Sequence, residues 1–216
     1  MNDWLLTLNA GSSSLKFALF EASDNGPVCQ VRGQVEAIDS APHFMASSSD
    51  GLPLADRNLH LEPGRSGHER AFEGIWEWLA DHTAGRPISG VGHRVTHGGP
   101  GFAGPVRIDP AVIRRLAQLV PLAPLHQPHN LAAIQAIARQ HPQLPQVACF
   151  DTSFHRGRRL VTECFGLSHS LFERGLRRYG FHGLSYEYVT GRLYQLSPEL
   201  AGGRVVVAHL GSGCSM

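Results

Sequence analysis

Two short apolar runs near the start of the chain, residues 4–8 (WLLTL) and 16–21 (KFALFE), stand on either side of the link Asn9-Ala10-Gly11-Ser12-Ser13-Ser14-Leu15. Each run has the length and the bounding turn residues of a strand. The link is rich in small residues and holds one glycine, so the two runs pair as a hairpin with a polar tip. A turn alone accounts for many Gly-Ser links. Here Asn9 and Lys16 flank the tip as well. Small residues let backbone N–H groups approach an anion, the hydroxyls of Ser12 and Ser14 add donors, and Lys16 adds charge. The tip is therefore a candidate phosphate cradle. It is not a P-loop, because the second glycine of that motif is missing and the segment that follows reads as strand rather than helix.

The pattern further along sets the class. Val31, Gly33, Val35 and Ala37 keep step at period two, which predicts a third strand over 28–38. Residues 39–65 are rich in Ser, Pro, Gly and Asp and read as loop mixed with irregular strand. Ser66-Gly67-His68-Glu69 is a capping-box pattern ahead of Phe72, Ile75, Trp76 and Leu79, which share one helical face. Residues 88–95 are strand-like. Asp109-Pro110 supplies an N-cap and N1 proline for a second helix, and Asn130 is the expected N-cap of a third, over 130–140. Residues 146–150 read as a short strand, 185–196 as a helix and 204–210 as a buried strand. A meander followed by alternating helix and strand predicts an α/β fold with parallel crossovers.

With 216 residues the chain suits one or two domains, 1–150 and 151–216 on this pattern. The formal net charge of +1 implies no general attraction to nucleic acid or to an acidic membrane. No apolar run reaches 18 residues, no basic segment precedes an apolar one at the N-terminus, and Cys29, Cys149, Cys164 and Cys214 form no C-x-x-C. A cytoplasmic chain with free thiols, no membrane partner and no nucleic-acid partner is the expectation.

Several further blocks are candidates for chemistry. Gly92-His93-Arg94-Val95-Thr96-His97-Gly98-Gly99 follows a strand end, where ligand groups gather in α/β sheets. Arg94 there suits a bidentate clamp on a carboxylate or phosphate, or a structural ion pair. His126 sits in a stiff loop between Pro124 and Pro128, suited to packing, capping or catalysis. Asp151 directly follows a strand, the position of many general bases and metal-associated carboxylates, and also of turn caps. His182 lies between glycines and aromatics ahead of a helix. His209-Leu210-Gly211-Ser212-Gly213 closes the last strand with a glycine-rich turn, a second candidate phosphate binder.

Taken in order, LNAGSSSLKF, GHRVTHGG, LAPLHQPHN, FDTSFH, RRYGFHG and HLGSGCS closely resemble the acetate kinase family of short-chain acyl kinases, over residues 9–215. That resemblance implies a ribonuclease-H-like fold of the actin, chaperone and sugar-kinase superfamily, with one such domain over 1–150 and the incomplete start of a second over 151–216. It implies ATP or ADP as co-substrate, Mg²⁺ or Mn²⁺ as metal, acetate or acetyl phosphate as the other substrate, and a homodimer at full length. Asn9 would help hold the metal. Ser12, Ser14 and Lys16 would line the phosphate path. Arg94 would bind the acyl anion, and His126, Asp151 and His182 would be the catalytic group. His209, Leu210, Gly211, Ser212 and Gly213 would touch the ATP phosphates. Propionate or butyrate as acceptor, and a non-catalytic phosphate-binding remnant, stand as alternatives.

The sequence departs from the family pattern at Gln127, usually Asn, and at Leu184 and Tyr186, often Thr and His. These sit beside the matched groups, and altered packing alone is expected of them. Family members are about twice as long. The family's second arginine and metal-binding glutamate have no counterpart here, so the 216-residue chain by itself is expected to be inactive.

Overall fold

The computed structural model describes residues 3–60, 66–211 and 213–216. Eight strands, β1 (Trp4–Ala10), β2 (Ser14–Glu21), β3 (Val28–Glu36), β4 (His43–Ser48), β5 (Pro53–Asn58), β6 (Ile88–Val95), β7 (Val106–Arg107) and β8 (Gln146–Phe150), form one sheet in the order β5-β4-β3-β2-β1-β6-β8-β7. The helices are α1 (Gly67–His82), α2 (Pro110–Ala117), α3 (Gln127–Gln140), α4 (Leu160–Glu163), α5 (His169–Glu173), α6 (Gly183–Leu196) and α7 (Pro198–Ala201). Contacts divide the chain into two compact units. One holds Met1–Val95 and Val106–Ala148, the other Thr96–Pro105 and Cys149–Met216.

The first unit opens with the expected hairpin. β1 and β2 pair antiparallel, Asn9 opposite Lys16 and Ala10 opposite Leu15. The Gly11 N–H donates to the Ser14 carbonyl at 2.8 Å and closes the tip. The meander runs two strands further than its sequence suggests, since β3–β4 and β4–β5 are antiparallel pairs. β5 is largely exposed and so carries no apolar alternation. The chain then crosses through α1 to β6, which lies parallel to β1 with Asn9 opposite Arg94.

Alternation along β1 sends Trp4, Leu6, Leu8 and Ala10 to one face and Leu5, Thr7 and Asn9 to the other. The first face is buried under α1, through Phe72, Ile75 and Leu79, and under α3, through Ala133, Ala136 and Ile137. Each large side chain so buried contributes about 1.5–3 kcal/mol. Phe17 stacks on Phe44 with ring centroids 5.9 Å apart, and Trp78 tilts onto Phe44 at 5.4 Å. The Phe17 ring occupies the space that a Cβ on Gly33 would need, so β3 carries a glycine opposite it. The capping box also forms: Glu69 N–H donates to Ser66 Oγ at 3.3 Å, and Ser66 N–H to Glu69 Oε2 at 3.0 Å. That backbone bond, ahead of the nearby Arg139, lowers the pKa of the Glu69 carboxyl.

Two sequence expectations are corrected. Asn130 is not the N-cap of α3. His126 holds that position without a side-chain cap bond, Gln127 begins the helix with a proline behind it, and Asn130 lies buried one turn inside. Residues 204–210 form no strand: only an isolated antiparallel bridge joins His209 to Ser215. Val206 is 80% exposed and Leu210 78%. An apolar run becomes a strand only when a neighbour completes its ladder and a layer covers its faces. Among the described residues nothing supplies either to this run.

Candidate functional site

In the first unit three side chains stand in one row across three strands. Lys16 on β2 is opposite Asn9 on β1, and Asn9 is opposite Arg94 on β6. The row lies on the sheet face away from α1 and α3, immediately before the Gly11 tip. Arg94 Nη1 donates to Asn9 Oδ1 at 2.9 Å. Lys16 is exposed, as are Ser12 and Ser13, while Ser14 and Asn9 are half-buried. Two cationic groups and three hydroxyls are therefore gathered at one short loop.

The loop is held from behind by both helices. His68, buried at the start of α1, brings Nε2 to 2.7 Å from the Gly11 carbonyl oxygen. That oxygen can only accept, so Nε2 carries the proton and donates. Asn130 Nδ2, from α3, donates to the Ala10 carbonyl at 2.9 Å. The His129 ring stacks on His68 with centroids 5.0 Å apart, and burial, then His68, lowers its pKa. Neither grip is visible in the sequence, where His68 belongs to a capping pattern and Asn130 to an expected cap. His126 is exposed at the start of α3.

His93 is buried in the first unit and donates from Nε2 to Gln146 Oε1 at 2.8 Å. Burial pulls its pKa down to about 4, against the opposing push of the Gln146 bond. It is a neutral structural histidine.

The second unit gathers the other candidates. Asp151 is 1% exposed at the end of β8. Its carbonyl accepts from Gly183 N–H at 2.9 Å, which ties this strand end to the residue after His182. A Cβ on Gly183 would collide with that same carbonyl and with Phe154 Cβ, and one on Gly180 with the His155 ring. The two glycines of RRYGFHG thus answer to close packing, and His182 between them adopts the left-handed region at φ 59°. Gly98 N–H donates to Thr152 Oγ1 at 2.9 Å, joining the HGG block to FDTSFH. His97 is buried, accepts at Nδ1 from Gly99 N–H at 2.8 Å and meets Tyr179 edge-on at 4.4 Å. Burial lowers its pKa.

His182 stacks on His209 with centroids 4.0 Å apart and 14° between planes. His182 Nδ1 is 2.8 Å from Ser215 Oγ, and Ser215 Oγ is 2.6 Å from Tyr186 Oη. His209 Nδ1 lies 3.1 Å from Ser185 Oγ. Leu210, Gly211 and Gly213 form the exposed turn that follows; Ser212 lies outside the described residues. Ser215 ends the HLGSGCS block and Tyr186 stands three residues beyond RRYGFHG, and their hydroxyls, the latter four residues after His182, were the available signal. The candidates are thus divided between the units: Asn9, Ser12, Ser14, Lys16, Arg94 and His126 in the first, Asp151, His182, His209 and the glycine-rich turn in the second.

Among the described residues no three His, Cys, Asp or Glu side chains are grouped to hold a metal ion. Asn9 Oδ1 faces a guanidinium, a poor neighbour for a divalent cation. These residues do not by themselves fit a Mg²⁺ site.

The acetokinase family model matches residues 4–216. The chain belongs to the acetokinase family. The acetate kinase of Nitrobacter hamburgensis is 49% identical over 215 residues, covering 99% of this chain and 53% of that protein. That of Rhodopseudomonas palustris is 48% identical, covering 100% and 54%. The crystal structure of an acetate kinase from Porphyromonas gingivalis aligns with a TM-score of 0.80 at 32% identity, over 98% of this chain and 53% of that one. A propionate kinase structure from Francisella tularensis gives 0.84 at 31% identity, with the same coverage. The chain spans about half the length of the curated relatives it matches. The mixed α/β sheet of this acetokinase-family chain is the fold of those solved acyl kinases.

Proposed function

We propose that this chain carries the acyl-anion and phosphate-binding part of an ATP-dependent carboxylate kinase, with acetate as acceptor. The observation that supports the reading best is the row Lys16–Asn9–Arg94 beside the Gly-Ser tip. It offers two fixed positive charges and several hydrogen-bond donors at one loop, which is what a planar carboxylate and a phosphoryl group require.

In the reaction a carboxylate oxygen of acetate attacks the γ-phosphorus of ATP in line. The bond from that phosphorus to the β,γ-bridging oxygen breaks, and acetyl phosphate and ADP result. The carboxylate is already ionised at neutral pH, since such groups titrate near ~4. No strong base is needed, and Asp151 serves to orient rather than to abstract a proton. The barrier is lowered by positioning and by donors on the charged equatorial oxygens. Arg94 clamps the acyl anion, Lys16, Ser12 and Ser14 line the phosphate path, His126 and His182 donate to the transferring group, and residues 209–213 contact the nucleotide phosphates. The divalent ion enters with the nucleotide as part of the substrate.

The propionate kinase structure, at a TM-score of 0.84, favours propionate as a second acceptor to be tested beside acetate. One methylene in an apolar pocket discriminates by only about 1–3 kcal/mol. We extend the reading to 151–216 as the opening part of a second ribonuclease-H-like domain, to a homodimer at the relatives' full length, and to the cytoplasm. No helix among the described residues is long and apolar enough to cross a membrane.

The test has two arms. Trapping of acyl phosphate as hydroxamate, with ATP, Mg²⁺ and acetate, is expected to show no turnover by the 216-residue chain, because charge-stabilising groups typically contribute on the order of 10³-fold each. Calorimetric titration of the same chain with acetyl phosphate is expected to show binding that Arg94→Ala and Lys16→Ala each weaken about tenfold or more. Binding indifferent to both substitutions would remove the proposed site.

A further inference from the structure

The second unit holds a chain of three side-chain groups that ends on a candidate catalytic histidine. Tyr186 Oη lies 2.6 Å from Ser215 Oγ, and Ser215 Oγ lies 2.8 Å from His182 Nδ1. We propose that Tyr186 and Ser215 are positioning residues that hold the His182 imidazole neutral and protonated on Nε2. The purpose of that tautomer rests on the function proposed above; the assignment of the proton does not.

The direction of the two bonds follows from counting protons. The Tyr186 side chain is 5% exposed, and a buried phenol must donate its proton. Phenols donate more readily than aliphatic hydroxyls and accept less readily, so in the Tyr186–Ser215 bond tyrosine is the donor. Ser215 has one proton, which is then directed at His182. His182 Nδ1 must accept it, and a neutral imidazole that accepts on one nitrogen carries its proton on the other. The stacked His209 ring, 4.0 Å away, adds a second constraint, because two imidazolium ions face to face repel.

Each member of the chain is held by backbone. Tyr186 N–H donates to the His182 carbonyl at 3.1 Å, which ties the first turn of α6 to the residue that precedes the helix. Ser215 is fixed by the bridge to His209, in which His209 N–H donates to Ser215 O at 2.9 Å and Ser215 N–H to His209 O at 3.1 Å. That bridge closes the glycine-rich turn. The residue that closes the turn is therefore the residue that sets the proton on His182. An Nε2–H is a donor suited to an anionic phosphoryl oxygen, whereas the opposite tautomer would present a lone pair and repel it.

The experiment is a long-range ¹H–¹⁵N correlation spectrum of the uniformly labelled 216-residue chain at alkaline pH, with His182 assigned through His182→Gln. The expected pattern is a pyrrole-type Nε2 and a pyridine-type Nδ1. Ser215→Ala and Tyr186→Phe are expected to relax the preference by about tenfold, the worth of one hydrogen bond, so that both nitrogens move toward averaged shifts. Ser215→Thr, which keeps the hydroxyl, is expected to restore the wild-type pattern. His97, whose Nδ1 accepts from Gly99, reports in the same spectrum that the second unit is intact. A pyrrole-type Nδ1 in the wild type, or an unmoved pattern in both hydroxyl deletions, overturns the proposal. Loss of the His97 signal in both deletions overturns it too, by showing that the chain serves folding. No nucleotide enters this measurement. Acetyl phosphate binding indifferent to Arg94→Ala and Lys16→Ala would remove the proposed function and leave the tautomer assignment standing.

Discussion

Arg94 and Asn9, 85 residues apart in sequence, share a hydrogen bond of 2.9 Å from the guanidinium to the amide oxygen, across the parallel pair β1–β6. The asparagine thereby orients the arginine. Asn9→Ala and Arg94→Ala are each expected to weaken acetyl phosphate binding about tenfold or more, as loss of a charged hydrogen bond does. The double variant is expected to be little worse than either single one, because both remove the same clamp. Calorimetric dissociation constants for the three variants check this. Strictly additive losses would mean that the two side chains act separately.

The Gly11 loop should owe its rigidity to His68 and Asn130 rather than to its own sequence. Asn130→Ala leaves the buried Ala10 carbonyl without this donor, at a cost of about 1–3 kcal/mol. His68→Ala does the same at Gly11. Amide hydrogen exchange at Gly11, whose N–H is bonded to Ser14 O, is expected to accelerate on the order of tenfold or more in either variant. Unchanged exchange would place the source of the loop's order elsewhere.

Acid should weaken the fold before it protonates its carboxylates. His93 has its folded pKa depressed to about 4 by burial, below the ordinary imidazole value of 6.5. Between those values the unfolded chain binds a proton that the folded chain refuses. Stability is therefore full above about pH 6.5 and is lost as pH falls toward 4, by about 3 kcal/mol from this group. Burial depresses His97 and His141 in the same direction. Urea midpoints taken from pH 7 to pH 4.5 are expected to fall in the wild type and to fall less in His93→Gln. Parallel curves for the two proteins would assign the acid sensitivity to other groups.

Gly183→Ala tests the packing under His182. The added methyl meets the Asp151 carbonyl, which is backbone and has nowhere to yield. Overpacking of this kind costs about 1–3 kcal/mol. A melting temperature several degrees lower, with the His182 ring signals displaced, is the expected result. A wild-type melting curve would show that the two segments can separate freely.

Much of this was legible in the sequence where local chemistry decides it. The β1–β2 hairpin, the capping box at Ser66 and the N1 proline at Pro110 form as their residue types require, since each depends on neighbours in sequence. β5 was not legible, because an exposed edge strand needs no apolar period. The run 204–210 misled for the opposite reason: its apolar residues describe a strand only if cover and a pairing neighbour are present. The grips of His68 and Asn130 on the loop link positions 57 and 120 residues apart, and no local pattern encodes such pairs. Tyr186 and Ser215 were in view as letters, yet only their bonding geometry gives them a role.

The division of the chain at Val95, Pro105 and Ala148 has a consequence for cleavage. The polypeptide passes from one unit to the other three times, so three covalent strands tether them. A protease that cuts within 96–105 leaves all three crossings between the units intact. Separating the units as polypeptides requires cuts at all three crossings, between residues 95 and 96, 105 and 106, and 148 and 149. A single nick therefore yields two fragments under denaturing conditions that do not correspond to the two units, and limited digestion is a poor guide to where one ends and the other begins.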